Sequence, residues 1–299
     1  MKSRFSSAGV HLFDRISGTN ILLDEIVLPE AVWTTAPRQV SIALTNACDL
    51  SCAYCFAPKF RALLSFEQVV AWVEELDAAG TLGIGFGGGE PTLYRRFPEL
   101  CAHIARQTLL SVTFTTHGHH LTDRTLAMLS GNVHMVRISV DGVGTTYERL
   151  RRRSFDTLRQ RLHVAKGAVP LGINVVINSD TIADLDEVVN LAGEVQAKEL
   201  LLLPEQPVYG RPGIDSDTST KLRHWIARYS GEPRLAISSR GAEGVSICEP
   251  LPGEIGLSAY AHIDAKGVLK RTSYEHAGVL IGAEGVVAAV NQLKVHAGH

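Results

Sequence analysis

The order of strand-like and helix-like segments constrains the fold of this 299-residue chain more than any other feature. Repeated strand-helix units joined by right-handed crossovers give a parallel sheet covered by helices, so this pattern predicts an α/β fold, a partial (β/α)6 barrel. Ser65 is the predicted N-cap of the first helix, with Gln68 at the capping-box position. The strands are predicted at 39–44, 82–86, 111–115, 135–140, 173–177 and 200–203, and the helices at 65–79, 100–107, 123–129, 155–167 and 182–197.

Composition limits the class of protein. Apolar residues make up 45% and charged residues 20% of the chain, the net charge is −2, and no apolar run is long enough to span a bilayer. We therefore expect a soluble, cytoplasmic protein with neither a membrane nor a nucleic acid as partner. Three regions are predicted: an N-terminal extension at 1–37 with a possible β-hairpin that includes Asn20–Leu23, the barrel at 38–212, and a C-terminal extension at 213–299.

Three cysteines follow the first predicted strand, Cys48, Cys52 and Cys55, in a C-x3-C-x2-C spacing. Closed zinc sites and ordinary electron-transfer [4Fe-4S] clusters usually draw four protein ligands. This loop supplies only three thiolates, so one metal corner is left open. An iron without a protein ligand can take one from a small molecule, and the spacing therefore points to chemistry as well as to metal binding.

Two other interpretations of the cysteines are a disulfide framework and a zinc site. Five cysteines in 299 residues and no secretory leader argue against a disulfide framework. A zinc site stays open as an alternative, because His11 or a histidine between His103 and His134 could provide a fourth ligand. Cys101, inside a predicted amphipathic helix, is expected to be a core residue.

The cysteine spacing, with the aromatic Tyr54 just before the third cysteine, resembles the radical S-adenosylmethionine (SAM) enzymes. The resemblance implies that Cys48, Cys52 and Cys55 ligate one [4Fe-4S] cluster and that Tyr54 lies in the cofactor site. It also implies that the free iron chelates the methionine part of SAM, whose reductive cleavage gives a 5'-deoxyadenosyl radical.

Further motifs of that family follow at the ends of the second and third predicted strands. Gly88, Gly89 and Glu90 match the GGE motif, which implies contacts with the SAM amino group. Thr116 lies in a run that resembles TTNG and is a candidate for the SAM carboxylate or amine. His117 stands where the family has Asn, and we expect it to be an exposed loop residue rather than a ligand.

The fourth and fifth predicted strands carry the remaining SAM candidates. Ser139 and Asp141 match the SxDG run, whose Ser typically meets the SAM ribose or carboxylate. Arg151 is a candidate for pinning the SAM carboxylate, although Arg149 or Arg152 could align instead, and a solvated helix face is the alternative. Asn174 and its neighbour Asn178 are candidates either for SAM or for capping local backbone.

The segment from Ser246 onward resembles a SPASM or twitch extension. Cys248 matches the first cysteine of that pattern, but the second is replaced at Arg271 or Thr272, so we expect the fold of the extension without its auxiliary cluster. If Cys248 faces the barrel mouth, it is a candidate hydrogen donor. Otherwise it is a buried remnant.

The resemblance implies a radical SAM enzyme that abstracts hydrogen from a substrate, with maturation of a ribosomal peptide by crosslinking or epimerisation as the leading expectation. The N-terminal hairpin could capture a leader strand by edge addition. A small-molecule substrate such as a nucleotide, sugar or amino acid is the first alternative, and a noncatalytic zinc or iron-sulfur scaffold or sensor is the second. An electron donor such as flavodoxin or ferredoxin is an expected partner.

Overall fold

Two sheets and eight helices make up the part of the chain that the computed structural model describes, residues 1–208, 210–248, 251 and 253–295. The strands are β1 Lys2–Ser6, β2 Gly9–Phe13, β3 Asn20–Leu23, β4 Gln39–Thr45, β5 Gly83–Gly88, β6 Ser111–Thr116, β7 Met135–Ser139, β8 Leu171–Ile177, β9 Glu199–Pro204, β10 Arg234–Ile237, β11 Tyr260–Ile263, β12 Val268–Lys270 and β13 Val279–Leu280. The helices are α1 Phe66–Ala78, α2 Phe97–Gln107, α3 Asp123–Leu129, α4 Gly144–Arg151, α5 Phe155–Ala165, α6 Leu185–Glu194, α7 Ser216–Arg228 and α8 Gly285–Val295.

The larger sheet has ten strands in the order β10-β9-β8-β7-β6-β5-β4-β11-β12-β13. All neighbours from β10 to β11 are parallel, and only β12 and β13 run antiparallel to their neighbours. The six consecutive strands β4 to β9 form the predicted partial barrel, which confirms the α/β fold. Because the strands are parallel, the loops that leave their carboxyl ends meet along one edge.

Alternation along the strands separates an apolar outer face from a more polar inner face. In β4, Val40, Ile42 and Leu44 are fully buried among the helices. The facing helix α1 begins where it was predicted, since Ser65 accepts a hydrogen bond from the Gln68 backbone and the capping box is complete. Burial of such aliphatic side chains stabilises the fold by roughly 1.5–3 kcal/mol each.

The N-terminal residues form a three-stranded antiparallel sheet, which extends the predicted hairpin by one strand. Arg4 fastens this sheet to the rest of the molecule. Its Nε donates to Glu254 Oε1 at 2.9 Å, and the side chains of both residues are only 1% exposed. The remaining guanidinium nitrogens donate to the carbonyls of Ala36 and Ser258, both at 2.8 Å, so the buried charge is paired and hydrogen bonded.

Strands from beyond residue 212 lie at both edges of the barrel sheet: β10 pairs with β9, and β11 pairs with β4. Within the C-terminal extension, β11 and β12 form an antiparallel pair in which His262 faces Lys270. The boundaries proposed at 37 and 212 stay a prediction. Among the described residues, none of the helices is long and apolar enough to cross a membrane.

Candidate active site at the carboxyl ends of the strands

The cysteine loop leaves β4 at the carboxyl edge of the sheet. All three of its thiols are free: Cys48 is exposed, Cys55 is half-buried and Cys52 is buried. The backbone N–H of Cys55 donates to the Cys52 carbonyl at 3.2 Å, and that of Leu50 donates to Cys48 Sγ at 3.4 Å. Burial raises the pKa of the Cys52 thiol, and the charge of the nearby Arg151 opposes that rise.

The two glycines at the end of β5 allow its backbone to touch the cysteine loop. The N–H of Gly89 donates to the Thr45 carbonyl at 2.7 Å, and a Cβ on Gly89 would lie 2.1 Å from the Ala47 carbonyl oxygen. Gly88 has a φ of +116°, which L side chains rarely adopt, and a Cβ there would lie 2.3 Å from the Thr45 carbonyl oxygen. The Gly88–Gly89 backbone therefore lies directly against the protein's own cysteine loop.

Glu90 joins the ends of β5 and β6. Its side chain is 1% exposed, and its Oε1 accepts hydrogen bonds from the hydroxyls of Thr116 at 2.7 Å and Thr92 at 2.6 Å and from the Thr92 N–H at 3.1 Å. Its Oε2 accepts from the His117 N–H at 3.0 Å. These bonds fix the loop geometry. The predicted contacts of Glu90 and Thr116 with SAM stay a prediction.

The expectation that His117 is an exposed loop residue is wrong. Its ring is 3% exposed, because the loop after β6 turns at Gly118, which has a φ of +84°, and packs the ring against the cysteine loop. The ring Nδ1 accepts from the His119 N–H at 3.1 Å, so a neutral ring carries its proton on Nε2, which lies 2.9 Å from Asp49 Oδ1. Both ring nitrogens are thus engaged within the protein.

Asp49, which the sequence analysis did not single out, holds the cysteine loop against its neighbours. Besides its contact with His117, the Asp49 carboxylate accepts a hydrogen bond from the Arg153 guanidinium at 2.9 Å. The same carboxylate lies 3.3 Å from Nε2 of the His120 ring. Partial burial acts to raise the pKa of Asp49, but the hydrogen bond and charge of His117 outweigh it and lower the pKa to about 2. The one available signal was its place between the first two cysteines. Ligand atoms of Cys48, Asp49 and His117 lie within 4.8 Å of one another.

Asp141, at the end of β7, is a second anchor of the cysteine loop. Its Oδ2 accepts hydrogen bonds from the Tyr54 hydroxyl at 2.5 Å and from Arg151 Nε at 2.6 Å, and its Oδ1 accepts from the Val176 N–H at 2.8 Å. Burial is the main cause that raises the pKa of Tyr54. The structure therefore brings together three predicted cofactor residues, since Tyr54 and Arg151 both donate to Asp141.

The other two arginines considered for this position lie elsewhere. Arg149 pairs with Asp180 at the surface, at 3.0 Å, and Arg152 adopts a left-handed conformation at the end of α4. Of the three, Arg151 is the one whose side chain is almost wholly buried, at 11% exposure. The ambiguity left by the sequence is thus resolved in favour of Arg151 as the inward-facing arginine.

Ser139 and Asn174 form an open polar pair on neighbouring strands, opposite each other in the register of β7 and β8. Both are buried. Asn174 Oδ1 has no hydrogen-bond partner, and the Ser139 side chain makes no hydrogen bond with any described residue. Asn178 differs, because its Oδ1 accepts from the N–H groups of Asp180 and Thr181, so it caps local backbone.

The inner face of the sheet carries polar groups that the sequence did not reveal as a set. Ser41 Oγ accepts from the Tyr260 hydroxyl at 2.7 Å and lies 2.6 Å from His262 Nδ1. Burial is the main cause that lowers the pKa of His262 to about 4, so its imidazole is neutral near pH 7. Further along the same face, Arg137 Nε donates to Glu199 at 2.9 Å. The group of Ser41, Tyr260 and His262 forms because β11 pairs with β4, far away in sequence.

The two cysteines outside the loop, Cys101 and Cys248, differ in burial. Cys101 is fully buried in the core, as expected. Cys248 is exposed, so its interpretation as a buried remnant is wrong. It lies in the connection between β10 and β11, outside the strands of the sheet. The motif around it falls partly on Glu249, Pro250 and Pro252, which lie outside the described residues. At the position of the missing second cysteine, Arg271 donates to the Leu293 carbonyl at 2.7 Å, and Thr272 Oγ1 is buried without a partner.

The residues of this edge fit the two groups that the sequence implies. Three free thiols in one loop suit a cluster that leaves one iron to a small molecule. The unpartnered Asn174 Oδ1 beside Ser139 suits a polar ligand next to that loop, because a buried polar atom without a partner is costly.

Comparison with known proteins places this site in a family context. The model described as "Radical SAM superfamily" matches residues 42–192, half of the chain. The sporulation killing factor maturation protein SkfB of Bacillus subtilis is 31% identical over 164 residues, which cover 51% of this chain and 39% of that protein. The Fe-coproporphyrin III synthase of Methanosarcina barkeri is 31% identical over 175 residues, which cover 56% and 41%. The chain spans about two fifths of the length of each of these relatives.

Solved structures show the same fold. The Streptococcus suis protein SuiB, bound to S-adenosylmethionine, superposes with a TM-score of 0.72 at 14% sequence identity, covering 91% of this chain and 81% of SuiB. SuiB has also been solved bound to the precursor peptide SuiA. At this level of identity the likeness concerns the fold.

Proposed function

This chain belongs to the radical SAM superfamily, and we propose that it cleaves SAM reductively at a [4Fe-4S] cluster to modify a peptide made on the ribosome. When bound, the cluster and SAM supply a 5'-deoxyadenosyl radical that abstracts a hydrogen atom from the substrate. Hydrogen abstraction from an unactivated carbon is chemistry that the cofactor carries, and the protein supplies binding, orientation and exclusion of water.

In this proposal Cys48, Cys52 and Cys55 hold the cluster. Ser139 and Asn174 bind SAM through their unpartnered polar groups, and the Gly88–Gly89 backbone lies against the cysteine loop. The single observation that carries the proposal is the cysteine loop itself, which presents three free thiols and no fourth cysteine at the carboxyl edge of a parallel sheet.

Two further motif residues, Glu90 and Asp141, have a positioning role in this proposal. Glu90 and Asp141 are both saturated by bonds from the protein, and each joins a strand end to the cysteine loop or its neighbour. They keep the three thiols and the open polar pair in fixed relation. Tyr54 takes part through its bond to Asp141. Reacting atoms must be held within a fraction of an ångström for efficient transfer, which is the physical reason for such anchors.

Peptide maturation is supported by two relatives: SkfB is named for maturation of a killing factor, and SuiB was solved with the precursor peptide SuiA. The antiparallel sheet β1-β2-β3 offers β3 as an edge to which a leader strand could add. On the polar inner face of the barrel, Ser41, His262 and Arg137 are already bonded to other groups of the protein, so they shape this face rather than supply free donors.

A small-molecule substrate is the second candidate. One relative of equal identity is named Fe-coproporphyrin III synthase, a name that refers to a porphyrin and not to a peptide.

Co-expression separates these two candidates. The chain is produced together with each short peptide encoded beside its gene, and the peptide is analysed by mass spectrometry, with the Cys52→Ala variant as control. A crosslink appears as the loss of two hydrogen atoms, and an epimerisation in D2O appears as the gain of one deuterium. Unchanged peptides beside active SAM cleavage would favour the small-molecule candidate.

A further inference from the structure

An exposed aromatic surface lies directly beside the cysteine loop. Phe56, Phe60 and Leu63 are 40%, 48% and 66% exposed, and we call these three residues and the cations around them the loop-flank patch. Large apolar side chains grouped at a surface are a common mark of a binding site. The patch is close to the thiols along the chain, because Phe56 follows Cys55.

Backbone contacts hold the patch against the start of the cysteine loop. The N–H of Asn46, two residues before Cys48, donates to the Ala62 carbonyl at 3.1 Å, and its side-chain amide donates to the Phe60 carbonyl at 3.2 Å. The segment 56–63 therefore runs alongside the residues that lead into the loop. A protein that covers the patch comes next to the place where the cluster is held.

Cations surround the aromatic rings. Lys59 and Arg61 are exposed within the segment, Lys266 Nζ lies 4.1 Å from the centre of the Phe60 ring, and Arg240 lies over Tyr274. None of these four cations forms an ion pair with a described residue. The Tyr274 ring in turn contacts Phe56, with 4.5 Å between ring centres.

The segment that carries Phe56, Phe60 and Leu63 contains no carboxylate. The sequence between Asp49 and Glu67 contains two cations and no acidic residue, although the whole chain has a net charge of −2. The patch is thus a local positive surface with an apolar centre. Electrostatic complementarity of this kind speeds encounter with an acidic partner and sets its orientation.

We propose that the loop-flank patch is the docking surface for a small electron-donor protein whose redox centre lies in an acidic surface, of the flavodoxin type. The proposal rests on the proposed function, since a radical SAM enzyme must receive one electron for each reductive cleavage. In the step itself the donor loses one electron and the cluster gains it, and no atom or proton needs to move. A second copy of this chain would bring like charges together, which disfavours self-association through the patch.

The test uses the reconstituted full chain and a purified bacterial flavodoxin as probe. The variant Lys59→Glu/Arg61→Glu reverses the two charges of the patch segment. Arg124→Glu, which changes an exposed cation on α3 without an ion pair among the described residues, is the control for a charge reversal outside the patch. Two readouts are taken. One is the dissociation constant for flavodoxin at low and high salt, and the other is 5'-deoxyadenosine formation with either reduced flavodoxin or dithionite as the electron source.

We expect wild type and Arg124→Glu to bind flavodoxin with an affinity that falls as salt rises, and Lys59→Glu/Arg61→Glu to bind about tenfold more weakly or worse. Turnover with flavodoxin should fall in the patch variant, whereas turnover with dithionite, which needs no docking, should stay within about twofold. Phe60→Ala, which keeps the charges, should also weaken binding, because it removes the apolar centre.

Equal flavodoxin binding by wild type and the patch variant would overturn the proposal, as would the absence of binding by wild type. Loss of dithionite-driven turnover in the patch variant alone would also overturn it, because the two cations would then serve the reaction itself. Failure of the proposed function looks different: no protein, wild type included, would form 5'-deoxyadenosine with dithionite, while the binding measurement would still report on the surface.

Discussion

The hydroxyl of Tyr54, the residue before Cys55, donates a 2.5 Å hydrogen bond to the buried carboxylate of Asp141 at the end of β7. The same carboxylate is paired with Arg151. Two distant parts of the chain, the cysteine loop and the last residue of α4, thus share one anion. The position of the third cysteine depends on a charge 86 residues away in sequence from Cys55, a relationship that no local pattern encodes.

Asp141→Asn should lower the free energy of unfolding by about 3 kcal/mol, because it leaves Arg151 almost buried without its counter-charge. Urea unfolding of the apo protein measures this change. Asp180→Asn is the matched control, since its partner Arg149 is 53% exposed and such surface pairs contribute about 0–1 kcal/mol. Equal losses in the two variants would contradict the anchoring role of Asp141.

Alanine at Gly87, Gly88 and Gly89, at the end of β5 and directly after it, should give graded results. Gly88→Ala and Gly89→Ala place a Cβ 2.3 Å and 2.1 Å from carbonyl oxygens of the cysteine segment, so each should cost about 2 kcal/mol and lower iron incorporation. Gly87→Ala is the control, because a Cβ there meets nothing within 4 Å. Thermal unfolding and iron content after reconstitution report both effects. A Gly87→Ala variant as impaired as the other two would refute the steric argument.

The stability should depend on pH through Glu199. Burial acts to raise its pKa, but Arg137 and Arg234 outweigh burial, so the pKa of Glu199 is lowered. A lowered folded-state pKa contributes stability above the unfolded value of about 4.3 and loses it as pH falls through the folded value. Glu199→Gln should therefore cost about 2 kcal/mol at pH 7 and progressively less below about pH 4. Glu194→Gln, at an exposed ion pair, is the control and should lower the free energy of unfolding at pH 7 by only about 0–1 kcal/mol.

Thiol labelling should distinguish the cysteines by burial and by metal binding. In the apo protein iodoacetamide should react with the exposed Cys48 and Cys248 and spare Cys101, which is fully buried and whose thiol pKa is raised by that burial. Anaerobic reconstitution with iron and sulfide should then protect Cys48 and leave Cys248 reactive. Peptide mapping by mass spectrometry measures each site. Protection of Cys248 together with Cys48 would mean that it too binds metal.

Local signals predicted much of the fold. The capping box at Ser65 and Gln68 marked the start of α1 correctly, because both bonds are made within four residues. The strands β4 to β9 were found at nearly their observed bounds because each is a short apolar run between turn signals. The prediction for 182–197 was less good: a 3-10 turn precedes α6, and the helix ends at Glu194 before Gln196 takes a positive φ.

What the sequence could not predict depends on contacts between distant residues. Ser41 and His262 are 221 positions apart, and only the pairing of β11 with β4 brings them together. The burial of His117 follows in the same way from Asp49, 68 positions earlier. The candidate site was therefore predicted as a set of strand ends, whereas the bonds that join those ends had to come from the structure.

Formation of 5'-deoxyadenosine tests the central claim most directly. The chain is reconstituted anaerobically with iron and sulfide, SAM and dithionite are added, and the nucleoside is followed by mass spectrometry, with Cys52→Ala as the matched control and Cys101→Ser as a cysteine variant outside the loop. We predict about four irons per chain and 5'-deoxyadenosine formation in wild type and Cys101→Ser, and loss of both in Cys52→Ala. A protein that retains zinc and never cleaves SAM would contradict the account and assign the cysteine loop to a structural or sensing role.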